Sequence, residues 1–122
     1  MGLFSPTTKK PAVNWVNLTT SAQLHELIKE AAKTPVLLFK HSTRCSISAM
    51  ALNRFEKEWD DSKPTCICVY LDLIANREIS NEIAALLKVE HQSPQAILVF
   101  NDEVIYAESH NGISANSIQA LI

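Results

Sequence analysis

Glycine is nearly absent from this chain, with two residues in 122, Gly2 and Gly112. A phosphate-cradling loop or a dinucleotide fingerprint needs several glycines at fixed offsets, so nucleotide binding of either kind is excluded. Positive charge is not in excess either. Eleven Lys and Arg against thirteen Asp and Glu leave a formal net charge of -2, unlike the basic footprint of a nucleic-acid binder. No apolar run approaches the roughly 20 residues that span a bilayer. The opening M-G-L-F-S-P-T-T-K-K-P lacks the apolar centre of a secretory signal. It starts Met-Gly, but Pro6 stands where a myristoylation motif has Ser or Thr. Cysteine is scarce and odd in number, with Cys45, Cys66 and Cys68. That count, without a signal, fits a reducing cytoplasm better than a disulfide framework. The expectation is a cytoplasmic protein whose partners are neither nucleic acid nor membrane.

What the chain does have is 47% hydrophobic residues, enough for one ordinary core. Two prolines and several polar residues mark positions 1–12 as a flexible N-terminal arm, leaving 13–122 as the domain. Residues 15–18 read as a short strand. Thr19, Thr20 and Ser21 then offer N-caps for a helix over 21–33, with Ala22, Leu24, Leu27, Ile28 and Ala31 on its apolar side. It should stop before Pro35. Val36 to Phe39 is a continuous apolar run, as in a strand buried on both faces. A helix over 46–59 follows, and 65–71, dense in β-branched and aromatic residues, reads as a third strand. Ile79, Ile83, Leu86 and Leu87 place a third amphipathic helix. Strands at 95–100 and 104–109 lie at hairpin distance across Asn101-Asp102. His110-Asn111-Gly112 is a turn, and a last helix starts at Ser114. The order β-α-β-α-β-α-β-β-α implies parallel βαβ units closed by a hairpin, an α/β fold with a mixed five-stranded sheet and helices on both faces.

The stretch that carries chemistry is K-H-S-T-R-C-S-I-S, Lys40 to Ser48. Cys45 falls where loop becomes the first turn of a helix, where backbone N–H groups lack partners and the dipole favours negative charge. The thiolate is the nucleophilic form of cysteine. Free cysteines are often buried as small hydrophobes, but Ser42, Thr43, Arg44 and Ser46 surround this one with polar groups. Lowering a thiol by two units takes roughly 2.7 kcal/mol, and a helix terminus supplies only about 0.3–1 kcal/mol. Hydrogen bonds from Ser48 or nearby N–H groups and a cation, with Arg44 and His41 as candidates, must add the rest. Ser48 lies three residues on, on the same side of the first turn. Cys66 and Cys68 alternate with Ile67 and share a strand face. Without spaced Cys/His pairs they do not make a zinc site, so core packing is expected. Pro94, directly ahead of a strand, points to a cis Ser93-Pro94 bond. His91 and His110 are assigned no role.

The element order, a cysteine after the second strand and a proline before the fourth together resemble the thioredoxin fold. More narrowly, H-S-T-R-C-S-I-S-A followed by H-Q-S-P-Q is similar to the monothiol bacilliredoxins, thioredoxin-like proteins of the bacillithiol system. The resemblance spans residues 12 to 122. It implies a thiol–disulfide oxidoreductase with Cys45 as the attacking sulfur and Ser48 where dithiol relatives carry a resolving cysteine. Serine cannot form that disulfide, so an external thiol should release an adduct. The resemblance further implies that Arg44 and Ser48 stabilise the thiolate and that Ser93, Pro94, Thr43 and Ser46 shape the substrate groove. The co-substrate would be a low-molecular-weight thiol such as bacillithiol, the partners S-thiolated proteins, with no tightly bound cofactor and no metal. One position departs from the family pattern: Ser46 stands where proline is usual. A reading from another class is a non-catalytic thioredoxin-like binding or adaptor module. Its nearest case, the iron–sulfur monothiol glutaredoxins, carries a Gly-Phe pair where this chain has Ser46-Ile47.

Overall fold

The structure is a computed structural model that describes residues 13–63 and 66–122. The expected arm at 1–12 lies outside the described residues, as does the expected start of the third strand at Thr65. The elements are β1 (Trp15–Asn17), α1 (Ser21–Glu30), β2 (Val36–His41), α2 (Ser46–Glu58), β3 (Ile67–Asp72), α3 (Arg77–Leu87), β4 (Gln95–Phe100), β5 (Glu103–Ser109) and α4 (Ala115–Gln119). They follow the expected order. The five strands form one sheet ordered β1-β3-β2-β4-β5. β1, β3 and β2 are parallel, β4 runs antiparallel to β2, and β5 antiparallel to β4.

Local chemistry sets the ends of these elements. The Thr20 hydroxyl accepts from the Gln23 N–H at 3.1 Å, while the Gln23 side chain accepts from the Thr19 N–H. These two bonds cap α1 and satisfy donors that a helix start leaves open. α1 stops at Glu30, three residues short of the expected Lys33. The reason is a tertiary bond: Ala31 is fully buried, and its carbonyl accepts from the Asn101 N–H at 2.7 Å. With so little glycine, left-handed backbone falls to other residues. Asn101 (φ 57°) and Asp102 (φ 63°) make the tight turn between β4 and β5, and Lys88 (φ 56°) ends α3. Asn and Asp tolerate this geometry better than lysine does.

The period-two alternation of β2 assigns its side chains to two cores. Leu37 and Phe39 face α2 and α4, packed with Phe55, Trp59, Cys66, Cys68, Leu98 and Ile118. Val36 and Leu38 face α1 and α3, packed with Leu24, Val69, Leu71, Ile79, Ile83 and Ile97. On the first face Trp15, Phe39, Phe55 and Tyr70 lie with ring centroids 5.4 to 6.0 Å apart. The Trp15 indole N–H donates to Glu56 at 2.7 Å. Aromatic contacts of this kind fix α2 on the sheet and with it the position of the α2 N-terminus.

β2 continues two residues past the expected Phe39, and Lys40 and His41 are buried like the rest of the strand. A central strand covered on both faces buries whatever it carries, so the change to polar residues did not mark its end. By parity, His41 joins the α2 side and Lys40 the α3 side.

Candidate active site

Three loops meet at the end of the sheet where β2 finishes. Residues 42–45 lead into α2, and residues 73–76 lead from β3 to α3. Residues 88–94 bring the chain to β4, whose Gln95 pairs with Lys40. The Leu73 N–H donates to the His41 carbonyl at 3.0 Å, tying the second loop to β2. Carboxyl ends of parallel strands are where open α/β sheets place their sites.

Cys45 is the N-cap of α2, in extended geometry. Its carbonyl accepts from the Ala49 N–H at 3.0 Å, and its own N–H donates to the Ser42 carbonyl at 3.2 Å. Its side chain makes no cap hydrogen bond. Cys45 is half-buried, whereas Thr43, Arg44, Ser46 and Ile47 are exposed. The structure therefore gathers Thr43, Arg44, Cys45 and Ser46 on one accessible turn. Ile47 and Met50 add 56% and 68% exposed apolar side chains on the next turn.

Ser48 is placed differently. It is fully buried, with His41 Nδ1 2.7 Å from its Oγ and the Ser42 N–H donating to the same oxygen at 3.1 Å. His41 was a candidate cation beside the sulfur. Burial instead lowers its pKa below the ordinary 6.5, against the opposing pull of the Asp72 and Glu56 carboxylates. At neutral pH it is an uncharged ring, which leaves Arg44 as the cation beside Cys45 in sequence. The His41 ring also packs against Tyr70, centroids 5.6 Å apart.

The Ser93-Pro94 bond is cis, as expected. Pro94 is buried, and its carbonyl accepts from the His110 N–H at 3.1 Å. Ser93 Oγ is buried and has no hydrogen-bond partner among the described residues. A buried hydroxyl without a partner costs about 1–3 kcal/mol. Two open clefts, about 420 and 330 Å³, lie beyond Asp72 among Asn17, Thr19, Ala75 and Asn76. Neither is lined by Cys45 or Pro94.

Sequence reasoning missed a polar anchor behind this loop. The Lys40 ammonium, fully buried, donates to the Ser80 carbonyl at 3.1 Å and to His91 Nδ1 at 3.2 Å. The Ser80 hydroxyl lies 3.2 Å from the same nitrogen. Lysine only donates, so His91 Nδ1 accepts and its hydrogen sits on Nε2. Burial lowers the Lys40 pKa from 10.5 to about 8. Burial, then the Lys40 and Arg77 charges, lower that of His91. His91, assigned no role from sequence, thus ties β2 and α3 to the segment that carries Ser93 and Pro94. The signal that could have found this pair was the parity of β2, once the strand was carried past Phe39.

Cys66 and Cys68 are buried, their sulfurs 3.8 Å apart. The Cys66 contact and burial push the Cys68 thiol up, keeping it protonated. Cys68 pairs in register with Leu37, four residues before the end of β2 and so about 13 Å along the strand from it. This core position matches the expectation, and it keeps both thiols out of reach of Cys45.

Comparison with known proteins agrees with this geometry. A protein-family model described as monothiol bacilliredoxin BrxC matches residues 16–118. A solved structure assigned a thioredoxin fold is 30% identical, with a TM-score of 0.74 over 87% of this chain and 91% of its own. Thioredoxin from Schistosoma mansoni is 16% identical, with a TM-score of 0.66 over 89% and 93%. Thioredoxin O1 from Arabidopsis thaliana is 14% identical, with a TM-score of 0.65 over 89% and 95%. The last two establish likeness of fold.

Proposed function

The chain belongs to the monothiol bacilliredoxins, a thioredoxin-fold family of thiol–disulfide redox proteins, and from that premise we propose that it removes a low-molecular-weight thiol from protein mixed disulfides through Cys45 alone. The Cys45 thiolate attacks the small-thiol sulfur of a mixed disulfide. A Cys45–small-thiol disulfide forms, and the protein substrate leaves as its thiolate. A second small-thiol anion then attacks that adduct. Cys45 leaves as thiolate, and the two small thiols depart joined as a disulfide. Each step forms one S–S bond and breaks one, so the protein thiol is released reduced as one free small thiol is oxidised into the small-thiol disulfide.

The observation that carries this reading is that Cys45 is the accessible sulfur, at a helix start, with serine rather than cysteine one turn on. Cys45 stands at the first turn, whose amides lack intrahelical partners, with the exposed Arg44 beside it in sequence. Ser93 and the cis-bonded Pro94, on the loop that reaches the same end of the sheet, would shape the groove for an extended thiol substrate. The exposed side chains of Thr43, Ser46, Ile47 and Met50 offer it a mixed polar and apolar surface. The small thiol is of the bacillithiol type, the substrates are S-thiolated proteins, and the working compartment is the cytoplasm. Among the described residues no helix is long and apolar enough to cross a membrane. Activity of the Cys45→Ala variant on a bacillithiol mixed disulfide tests the proposal. Loss of cleavage is expected, and cleavage at the wild-type rate rules it out.

A further inference from the structure

Lys40 is fully buried on the strand that leads to Cys45, and the exchange chemistry does not use it. Taking an ammonium out of water is costly, and an apolar side chain of similar length would pack in its place at less cost. Packing alone does not call for a lysine there; its contacts do. Its backbone pairs in the sheet with Gln95, the first residue of β4. Its side chain turns to α3 and the loop beyond it, where the ammonium donates to the Ser80 carbonyl at 3.1 Å and to His91 Nδ1 at 3.2 Å. One residue thus holds both ends of the segment 91–95. Gln95 closes that segment from within. Its side-chain amide donates to the Glu90 carbonyl at 2.9 Å, and its side-chain oxygen accepts from the Gln92 N–H at 3.4 Å. Ser93 and Pro94 lie between these holds.

We propose that Lys40 and His91 are positioning residues for the mixed-disulfide substrate: their hydrogen bond fixes the Ser93-Pro94 segment relative to the strand that leads to Cys45, and so sets how well the substrate seats without altering the sulfur. The inference rests on the reading that Cys45 performs the exchange with Ser93 and Pro94 in its substrate groove. Burial and the Lys40 and Arg77 charges keep the His91 ring uncharged at neutral pH, so Nδ1 remains an acceptor for lysine. The Ser80 hydroxyl, 3.2 Å from the same nitrogen, holds the ring from the α3 side. β2, α3 and the loop into β4 are in this way tied together at one nitrogen. A hydrogen bond from a charged donor is stronger than one between neutral groups. A segment held by such a bond has already given up freedom that substrate would otherwise have to remove on binding. Loss of the bond therefore weakens substrate binding, while Cys45 keeps its own place at the start of α2.

Steady-state cleavage of a bacillithiolated protein by the reduced full chain, run beside alkylation of Cys45 by iodoacetamide at pH 7, tests this. In Lys40→Met and in His91→Leu, kcat/KM for cleavage should fall about tenfold, the low end for one lost hydrogen bond to a charged group. The fall should lie in KM. Alkylation, which needs no groove, should keep the wild-type rate in both variants. His91→Asn, whose side-chain oxygen can stand in for Nδ1, should restore most of the loss in KM. Circular dichroism gives the folded fraction of each variant, and the two His91 variants carry the test should Lys40→Met not fold. A wild-type KM in His91→Leu, no recovery in His91→Asn, or alkylation that slows in step with cleavage would overturn the proposal. Failure of the reading beneath it shows separately, as mixed-disulfide cleavage by Cys45→Ala or a wild-type KM in Pro94→Ala.

Discussion

Ser48 is buried one helical turn after Cys45, its hydroxyl engaged by His41 and the Ser42 amide. Ser48→Cys would put a second thiol one turn from Cys45. The expected outcome is an intramolecular disulfide on mild oxidation and release of a bound small thiol without added thiol. Thiol titration and mass measurement of the oxidised variant check this. Cys66 and Cys68 make the complementary case. Buried at the far end of β3, they have no route to Cys45, so the Cys66→Ala/Cys68→Ala double variant should keep its exchange rate. It should lose about 1–3 kcal/mol of stability to the space it opens. A matching fall in exchange rate at full folding would contradict the placement. The sequence was informative about the place of Cys45 at a helix start and the cis bond before Pro94, because polar neighbours and element boundaries are local signals. It was silent on the partner of Ser48, because that contact depends on the parity of a strand whose end it misjudged.

Among the elements, β2 and α3 show how tertiary context overrides local pattern. The apolar run ends at Phe39, but coverage by α2 and α3 buries Lys40 and His41 as well. Lys40 gives this a measurable consequence. Its folded pKa, about 8, lies below the unfolded value, so between pH 8 and 10.5 the unfolded chain binds more protons. The folded state is therefore favoured as pH rises through that window. Relative to Lys40→Met, the wild type should gain denaturation free energy from pH 8 towards 10.5, read from paired denaturant curves. Parallel curves would refute a buried ammonium. The end of α3 carries a separate effect. Lys88 adopts left-handed geometry where glycine is the usual choice. Lys88→Gly should stabilise the chain by about 0.5–1 kcal/mol, checked by thermal melting. The scarcity of glycine, which excluded phosphate loops from composition alone, reappears here as local strain.

At the scale of the molecule, the sheet divides two apolar cores and brings three loops to one end, where the accessible sulfur sits. The order of elements and the mixed five-stranded sheet were legible because alternating strands and helices leave few topologies. The burial of Ser48 and the anchoring of the 91–94 segment by Lys40 were not, since both arise from contacts across the sheet. The other two thiols are buried at the opposite end of the sheet. The most direct test is intact-mass measurement of the reduced full chain mixed with a bacillithiolated protein, before and after adding free bacillithiol. The account predicts a single bacillithiol adduct on Cys45 that persists until the free thiol is added and then disappears. An adduct that resolves unaided with formation of an internal disulfide, or no adduct on Cys45, would contradict it.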